Sequence, residues 1–308
     1  MIGSGLVKVT NIPANSGNTR EFSEIDSNEY LARKGEGDQA GRGKVQQGYS
    51  KVITMARFGE NIGITYEMRT QNKYPEIVAR LKNAGRKGAN RMDLDLTHRL
   101  TFGTATSYTD VDGVTVSLVT GESTSQQLFD TDHPLSGSST TYRNRLANNP
   151  AVSKGAIEGM ERLITENTFN NLGEKVTAPF DIIFTSDDPN AVNTVREYLK
   201  STSAPDAAHA GVINVYAGKY RHVILPRLAT TAAGAPDSTK RGYWGIASSL
   251  MSSFHLGVWE QPHLVAGGVG SNAEDIQTDD LELRSRASYG MGIVSSAWIK
   301  FSDGLGTA

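Results

Sequence analysis

The segment that most constrains the fold is NKYPEIVARLKNAGRKGANRMDLDLTHRLTF, residues 72–102. Ile77, Leu81, Ala84, Gly88, Met92, Leu96 and Leu100 recur every three or four residues. That spacing draws one apolar stripe along a helix. Pro75 suits the first turn, where no backbone N–H is needed. An unbroken helix of this length spans ~40 Å at ~1.5 Å per residue, so the rest of the chain has to be arranged along it. Gly85 and Gly88 each weaken it by roughly 1 kcal/mol relative to alanine, which predicts a kink or a close neighbour there. The polar side is basic. From Arg69 to Arg99, eight Lys and Arg stand against three acids, whereas the whole chain is −2. The charge is therefore placed, either as a solvated face or as one turned toward a polyanion.

The size, 308 residues, allows a large core in one or two domains. With no cysteine there is no disulfide framework and no thiolate metal site. A pI near 6.3 argues against a protein that coats DNA. No run approaches ~18 apolar residues, so no helix is expected to cross a membrane. MIGSGLVKVTNIPAN lacks the basic and apolar regions of a secretory signal, which predicts a soluble protein made inside the cell.

Residues 1–20 read as an extended polar arm that either stays disordered or is tied down by another surface. A hairpin pattern follows. FSEIDSNEYLARKG leads in, a Gly-rich tip runs from Gly35 to Lys44, and VQQGYSKVITMARFGENIGITYEM leads out. Two polar-sided strands cannot be stable alone, so the hairpin is expected to project onto a neighbouring subunit. After the helix, TSYTDVDGVTVSLVTGE carries strand signals around Asp112-Gly113. Residues 126–150 read as a polar loop, and Ser153 caps a helix reaching about Phe169. From Pro179 the pattern becomes mixed α/β. FDIIFTS is a buried strand, and Asp188-Pro189 opens a helix through Lys200. INVYAGKYRHVILPRL reads as two strands joined at Ala217-Gly218, and LGVWEQPHLV as another strand before a glycine-rich loop at 267–270. DLELRSRASYGMGIVSSAWIKFSD closes the chain as one or two long strands.

The six histidines (98, 133, 209, 222, 255 and 263) include no HExxH and no i, i+4 pair. Asp130, Asp132 and His133 look like an acid–base cluster. In extended chain, however, neighbouring side chains alternate sides, and a polar turn set by Pro134 explains them more simply. There is no GxSxG, P-loop or dinucleotide fingerprint, and the Gly-rich tip lacks the helix behind it that a phosphate cradle uses. No enzyme constellation and no cofactor is expected.

The order of arm, long hairpin, basic-faced helix, strands, α/β region and closing strand resembles the major capsid (major head) proteins of tailed bacteriophages, the Johnson fold. The resemblance is closest to the Mu-type head-subunit group. It is carried by GYSKVITMARFGENIGITYEMR, LFDTDHPLSG, RNRLANNP, PFDIIFTSDDPNAV, VINVYAGKYRHVILPRL and LRSRASYGMGIVSSAWIKFSDG. It implies an α+β fold with an N-terminal arm (1–20), an extended E-loop (21–68) and a peripheral domain with a spine helix (69–178). It also implies an axial domain (179–285) and a return to the peripheral domain (286–308). The implied function is a non-enzymatic subunit of an icosahedral virion shell, assembled in the host cytoplasm from pentamers and hexamers around double-stranded DNA. Scaffold, portal and decoration proteins are the implied partners, with no membrane. Because about 20 residues precede the E-loop, either the scaffold is a separate protein or the chain begins near a processed end. On this reading Arg33, Lys34, Arg42 and Lys44 at the E-loop tip meet a neighbour, and Arg80, Arg86, Lys87 and Arg91 on the spine face DNA. An encapsulin-like compartment of the same fold is the alternative. Beyond that fold, a metal- or His-dependent hydrolase and a tail or baseplate protein are the readings of other classes.

Overall fold

In the computed structural model the spine is one helix. The structure describes residues 1–13, 17–71, 73–123, 125–203, 211–266 and 281–306. The chain opens with β1 (Val7–Asn11), the hairpin strands β2 (Thr19–Ser27) and β3 (Val45–Thr54), and β4 (Ala56–Ile64). One turn of helix, α1 (Tyr66–Thr70), is capped by the Thr65 hydroxyl and leads into α2 (Tyr74–Thr101). Two small hairpins follow: β5 (Ser107–Thr109) with β6 (Thr115–Ser117), and β7 (His133–Leu135) with β8 (Ser138–Tyr142). Gly113 turns the first at φ +78°, a conformation that favours glycine. Then come α3 (Lys154–Glu166), β9 (Ile182–Thr185), α4 (Pro189–Lys200), β10 (Arg221–Ile224), β11 (Trp244–Ala247), β12 (Phe254–Ala266), β13 (Leu281–Ile293) and β14 (Ile299–Ser302). Ser153 caps α3 and Asp188 caps α4 through their side-chain oxygens. α3 stops three residues short of Phe169.

Two four-stranded sheets organise these elements. One has the order β1-β12-β13-β4, with β1 parallel to β12 and the other neighbours antiparallel. The other has the order β10-β9-β11-β14. The stripe on α2 lies along the first sheet, where Ile77 and Leu81 pack with Ile64, Met68 and Leu283. The last third of α2 runs deeper, and Leu96 and Leu100 are fully buried. There Ile182, Phe184 and Phe301 of the second sheet join Phe254, Leu256 and Tyr289 of the first in one core. The opposite face of the second sheet buries Ile183, Trp244 and Ile246 against Ile157, Met160 and Val195 of α3 and α4. Covered on both faces, β9 and β11 read as continuous apolar runs without alternation.

Gly88 faces a neighbour. A Cβ there would lie 3.0 Å from the Pro262 Cβ, whereas Gly85 opens to space. Pro262 falls in the irregular stretch of β12 between Val258 and His263, beyond the last β1 pair at Val258. It sits where no ladder asks for its missing N–H.

Several expectations are corrected. The arm is held by its own chain, because β1 pairs with β12 and Leu6, Val7 and Ile12 are buried. The hairpin ends at Thr54, and β4 leaves it to pair with β13. The expected loop 126–150 contains the β7–β8 hairpin and the fully buried Leu128 and Phe129. Of the two strands expected in INVYAGKYRHVILPRL, the second forms. Residues 215–219 are turns, preceded by Asn214, whose amide donates to the Ser201 carbonyl (2.9 Å). Each sheet draws strands from distant parts of the chain: β12 joins β1 and β4 in one, and β14 joins β9 and β11 in the other. The loop expected at 267–270 and His209 lie outside the described residues.

Candidate assembly surfaces

The β2–β3 hairpin has two unlike faces because antiparallel partners share a side. Arg20/Ile53, Phe22/Lys51 and Asp26/Gln46 form the face turned to the body, and Glu21/Val52, Ile25/Gln47 and Ser27/Val45 form the outer one. On the inner face Ile53 is buried with Ile12 and Met55, and the Lys51 ammonium donates to the Val119 carbonyl (2.8 Å). The Asn171 backbone N–H and side-chain amide both donate to Asp26 Oδ2, at 2.9 and 2.7 Å. Glu24 also faces inward, beside Asn171 and Trp298. Burial, with Asp26 and Glu122 nearby, pushes its carboxyl up to about 7. On the outer face Ile25, Val45 and Val52 remain exposed.

Beyond Asn28, whose side chain accepts from the Lys44 N–H (3.0 Å), the tip departs from strand pairing. Tyr30 is 65% and Leu31 fully exposed. Arg33, Lys34, Arg42 and Lys44 are all exposed, and none is in an ion pair among the described residues.

The four spine cations separate into two kinds. Arg80 and Arg86 stand exposed, with Arg80 donating to the Gly63 carbonyl (3.3 Å). Lys87 pairs with Glu60 at 2.5 Å. Arg91 is mostly buried and is the centre of a network, bridging Asp95 (2.9 Å), Asp110 (2.9 Å) and Asp112 (2.7 Å). It ties the β5–β6 hairpin to the spine and has little charge left to offer a polyanion.

Asp130, Asp132 and His133 do not converge. Asp132 is exposed, and Asp130 accepts from its own loop, from the Thr131 N–H (2.7 Å) and the Gln126 amide (3.1 Å). His133 is fully buried and meets residues from three other segments. Its Nδ1 lies 2.7 Å from Glu122 and its Nε2 3.1 Å from Asn144 Oδ1. The Asn144 amide nitrogen donates to the Leu128 and Ser296 carbonyls, so Oδ1 must accept from Nε2. Nδ1 also lies 2.9 Å from the Ser296 hydroxyl, so the ring is held from both sides. Burial alone would raise the Glu122 carboxyl. Hydrogen bonds from His133, Ser296 and Tyr142 hold it below the usual carboxylate range. Lys300, buried nearby with its ammonium on the Asn167 carbonyl (2.7 Å), is pulled down to about 7 by desolvation. Glu122, Tyr142, Asn144 and Ser296 carry no spacing signal in the sequence. Among the described residues no group of three His, Asp or Glu could hold a metal ion, and no helix there is long and apolar enough to cross a membrane.

No protein-family model matches the chain, and no curated protein matches it in sequence. Its fold is nonetheless similar to solved structures along almost its whole length. Against the capsid of Myoviridae phage XM1 the TM-score is 0.52 at 13% identity, covering 98% of this chain and 90% of that one. Against the mature capsid of bacteriophage PhiM1 it is 0.50 at 12%, covering 97% and 85%. Against the capsid of cyanophage P-SCSP1u it is 0.50 at 11%, covering 96% and 85%. The α+β fold is that of phage major capsid proteins.

Proposed function

We propose that this chain, which has the phage major-capsid fold, is a shell subunit that assembles with copies of itself into the icosahedral head of a tailed phage. The observation that carries this reading is the fold shared over 98% of the chain with a phage capsid. The exposed apolar row and tip of the hairpin support it, since such a projection is a liability on a solitary protein. The role is geometric. Many modest contacts between plates add up in a closed shell, and ion pairs at the hairpin tip set register more than strength, each worth ~0–1 kcal/mol. The partners on this reading are packaged double-stranded DNA, contacted without sequence readout, with scaffold, portal and decoration proteins, and the site of action is the virion. Placement in the Mu-type group rests on the motifs quoted above.

Negative-stain microscopy with light scattering on the expressed chain, alone and with its neighbouring gene products, tests the reading. Closed particles or ring-like capsomers are expected. A monomer that stays monodisperse under every condition sinks it. A compartment of the same fold holding protein is the second reading, favoured by the consumption of Lys87 and Arg91 in ion pairs. Nuclease-protected DNA inside the particles from a packaging host separates the two.

A further inference from the structure

The base of the hairpin rests on a carboxyl that has no counter-charge. In the β2–β3 ladder Ser23 pairs with Ser50 and Ile25 with Gln47, so Glu24 stands opposite two residues, Gly48 and Tyr49. This bulge aims Glu24 into the body. Gly48 makes room for it, since a Cβ there would lie 2.9 Å from the Glu24 Cβ. Glu24 shares a pocket with Asp26 and Tyr49 of the hairpin and with Glu122, Tyr142, Asn171 and Trp298 of the body. The space left is about 10 Å³, room for one water at most. Among the described residues no lysine, arginine or histidine lines it. Lys51 of β3 is turned to the Val119 carbonyl, His133 is bonded to Glu122, and the Lys300 ammonium is on the Asn167 carbonyl. An ionised Glu24 would be a third carboxylate beside Asp26 and Glu122, with no cation to offset it.

The rest of the contact is apolar. Ile53 and Met55 join Ile12 in a small cluster apart from the main core. Gly292 lets Ile53 onto the sheet, since a Cβ there would lie 2.7 Å from the Ile53 Cγ1. His255 faces the hairpin from β12, paired with Lys8 of β1 and against the Phe22 ring. Burial and Lys8 hold it down to about 4, so it stays neutral while Glu24 titrates.

We propose that the hairpin base is a proton-dependent latch: Glu24 holds it on the body as an uncharged acid and frees it, with both four-stranded sheets intact, on ionising. β2 and β3 form a sheet of their own, and a lone two-stranded hairpin is marginal in water. Such a unit opens at a lower free energy than the whole fold. The docked carboxyl, at about 7 against 4.5 when free, holds its proton more tightly. Docking is therefore at full strength below about pH 4.5 and weakens as pH rises through about 7. From about pH 5.5 to about pH 8.5 the shift multiplies the open population about thirtyfold.

Hydrogen exchange on the full chain, dilute enough to be one species by light scattering, tests the latch. Peptides spanning 19–27 and 168–174 report it, the second through the Asn171 N–H bonded to Asp26. Corrected for intrinsic rates, their protection should fall about thirtyfold over that pH range. It should also stay below the protection of β9 and β11 throughout. In Glu24→Gln, or in Glu24→Met where the first variant does not fold, the fall should vanish. The latch is overturned by protection that does not change with pH in the unmodified chain, or by a fall that persists in the neutral variant. Equal protection of hairpin and core peptides also overturns it, because release would then be global unfolding. None of these results bears on the shell reading, which assembly tests separately.

Discussion

Arg91 is the residue whose role changes most between sequence and structure. In the sequence it is one of a row of helix cations. In the fold it holds three carboxylates from two elements. Removing one partner of a buried ion pair strands the others. Arg91→Ala should therefore lower stability by about 3 kcal/mol, read as a lower urea midpoint with m unchanged. An Arg86→Ala control should move the midpoint little. The buried groups near the hairpin base predict an unusual pH profile. Glu24 is raised from 4.5 to about 7. The folded chain thus holds a proton that the unfolded chain releases, and stability falls as pH rises from about 4.5 to 7. Lys300 is lowered from 10.5 to about 7. The unfolded chain then binds the extra proton, and stability rises from about pH 7 to 10.5. The two contributions place a minimum near neutrality. Denaturant titrations across this range should lose the acid limb in Glu24→Gln and the alkaline limb in Lys300→Met. A flat profile in the unmodified chain would refute both assignments.

At the scale of elements, the spine is where periodicity was most informative, and its two glycines test why. Both cost a helix the same intrinsic propensity, yet only Gly88 touches another element. Gly85→Ala should raise stability by about 1 kcal/mol, whereas Gly88→Leu should lower it, because Pro262 stands 3.0 Å from the first added carbon. Thermal melts of the two variants should move in opposite directions. The caps at Ser153 and Asp188 and the turn at Gly113 were legible because each is a local event, a side chain or a glycine satisfying its own backbone. The division between hairpin and sheet was not. β3 and β4 run on with only Met55 between them, and nothing local says that the partner changes from β2 to β13.

At the scale of the whole molecule the hairpin and the spine make separable predictions. Replacing Arg42 and Lys44 together with Glu should leave a folded monomer by circular dichroism but impair assembly by light scattering. Normal particles from that variant would remove the tip charges from the mechanism. Replacing Arg80 and Arg86 with Gln tests the two spine cations that are not held by a carboxylate. Particles should still form but retain less DNA after nuclease treatment, and unchanged retention would make that face a merely solvated one.

The sequence by itself determined what depends on neighbours a few residues away: the spine and its stripe, the helix caps, the glycine turn, and the double-sided burial of FDIIFTS. The order of those elements was enough to show a resemblance to the capsid fold, because order survives when individual residues do not, at 13% identity or less. Only the tertiary structure decided which strands pair, that the arm belongs to its own sheet, and that Arg91 is structural. The same holds for the junction of Glu122, His133, Tyr142, Asn144 and Ser296, whose members are up to 174 residues apart. The reason is common to all of these. A charge or a strand edge is satisfied by whatever the fold brings within about 3 Å, and that partner leaves no periodic trace in the chain.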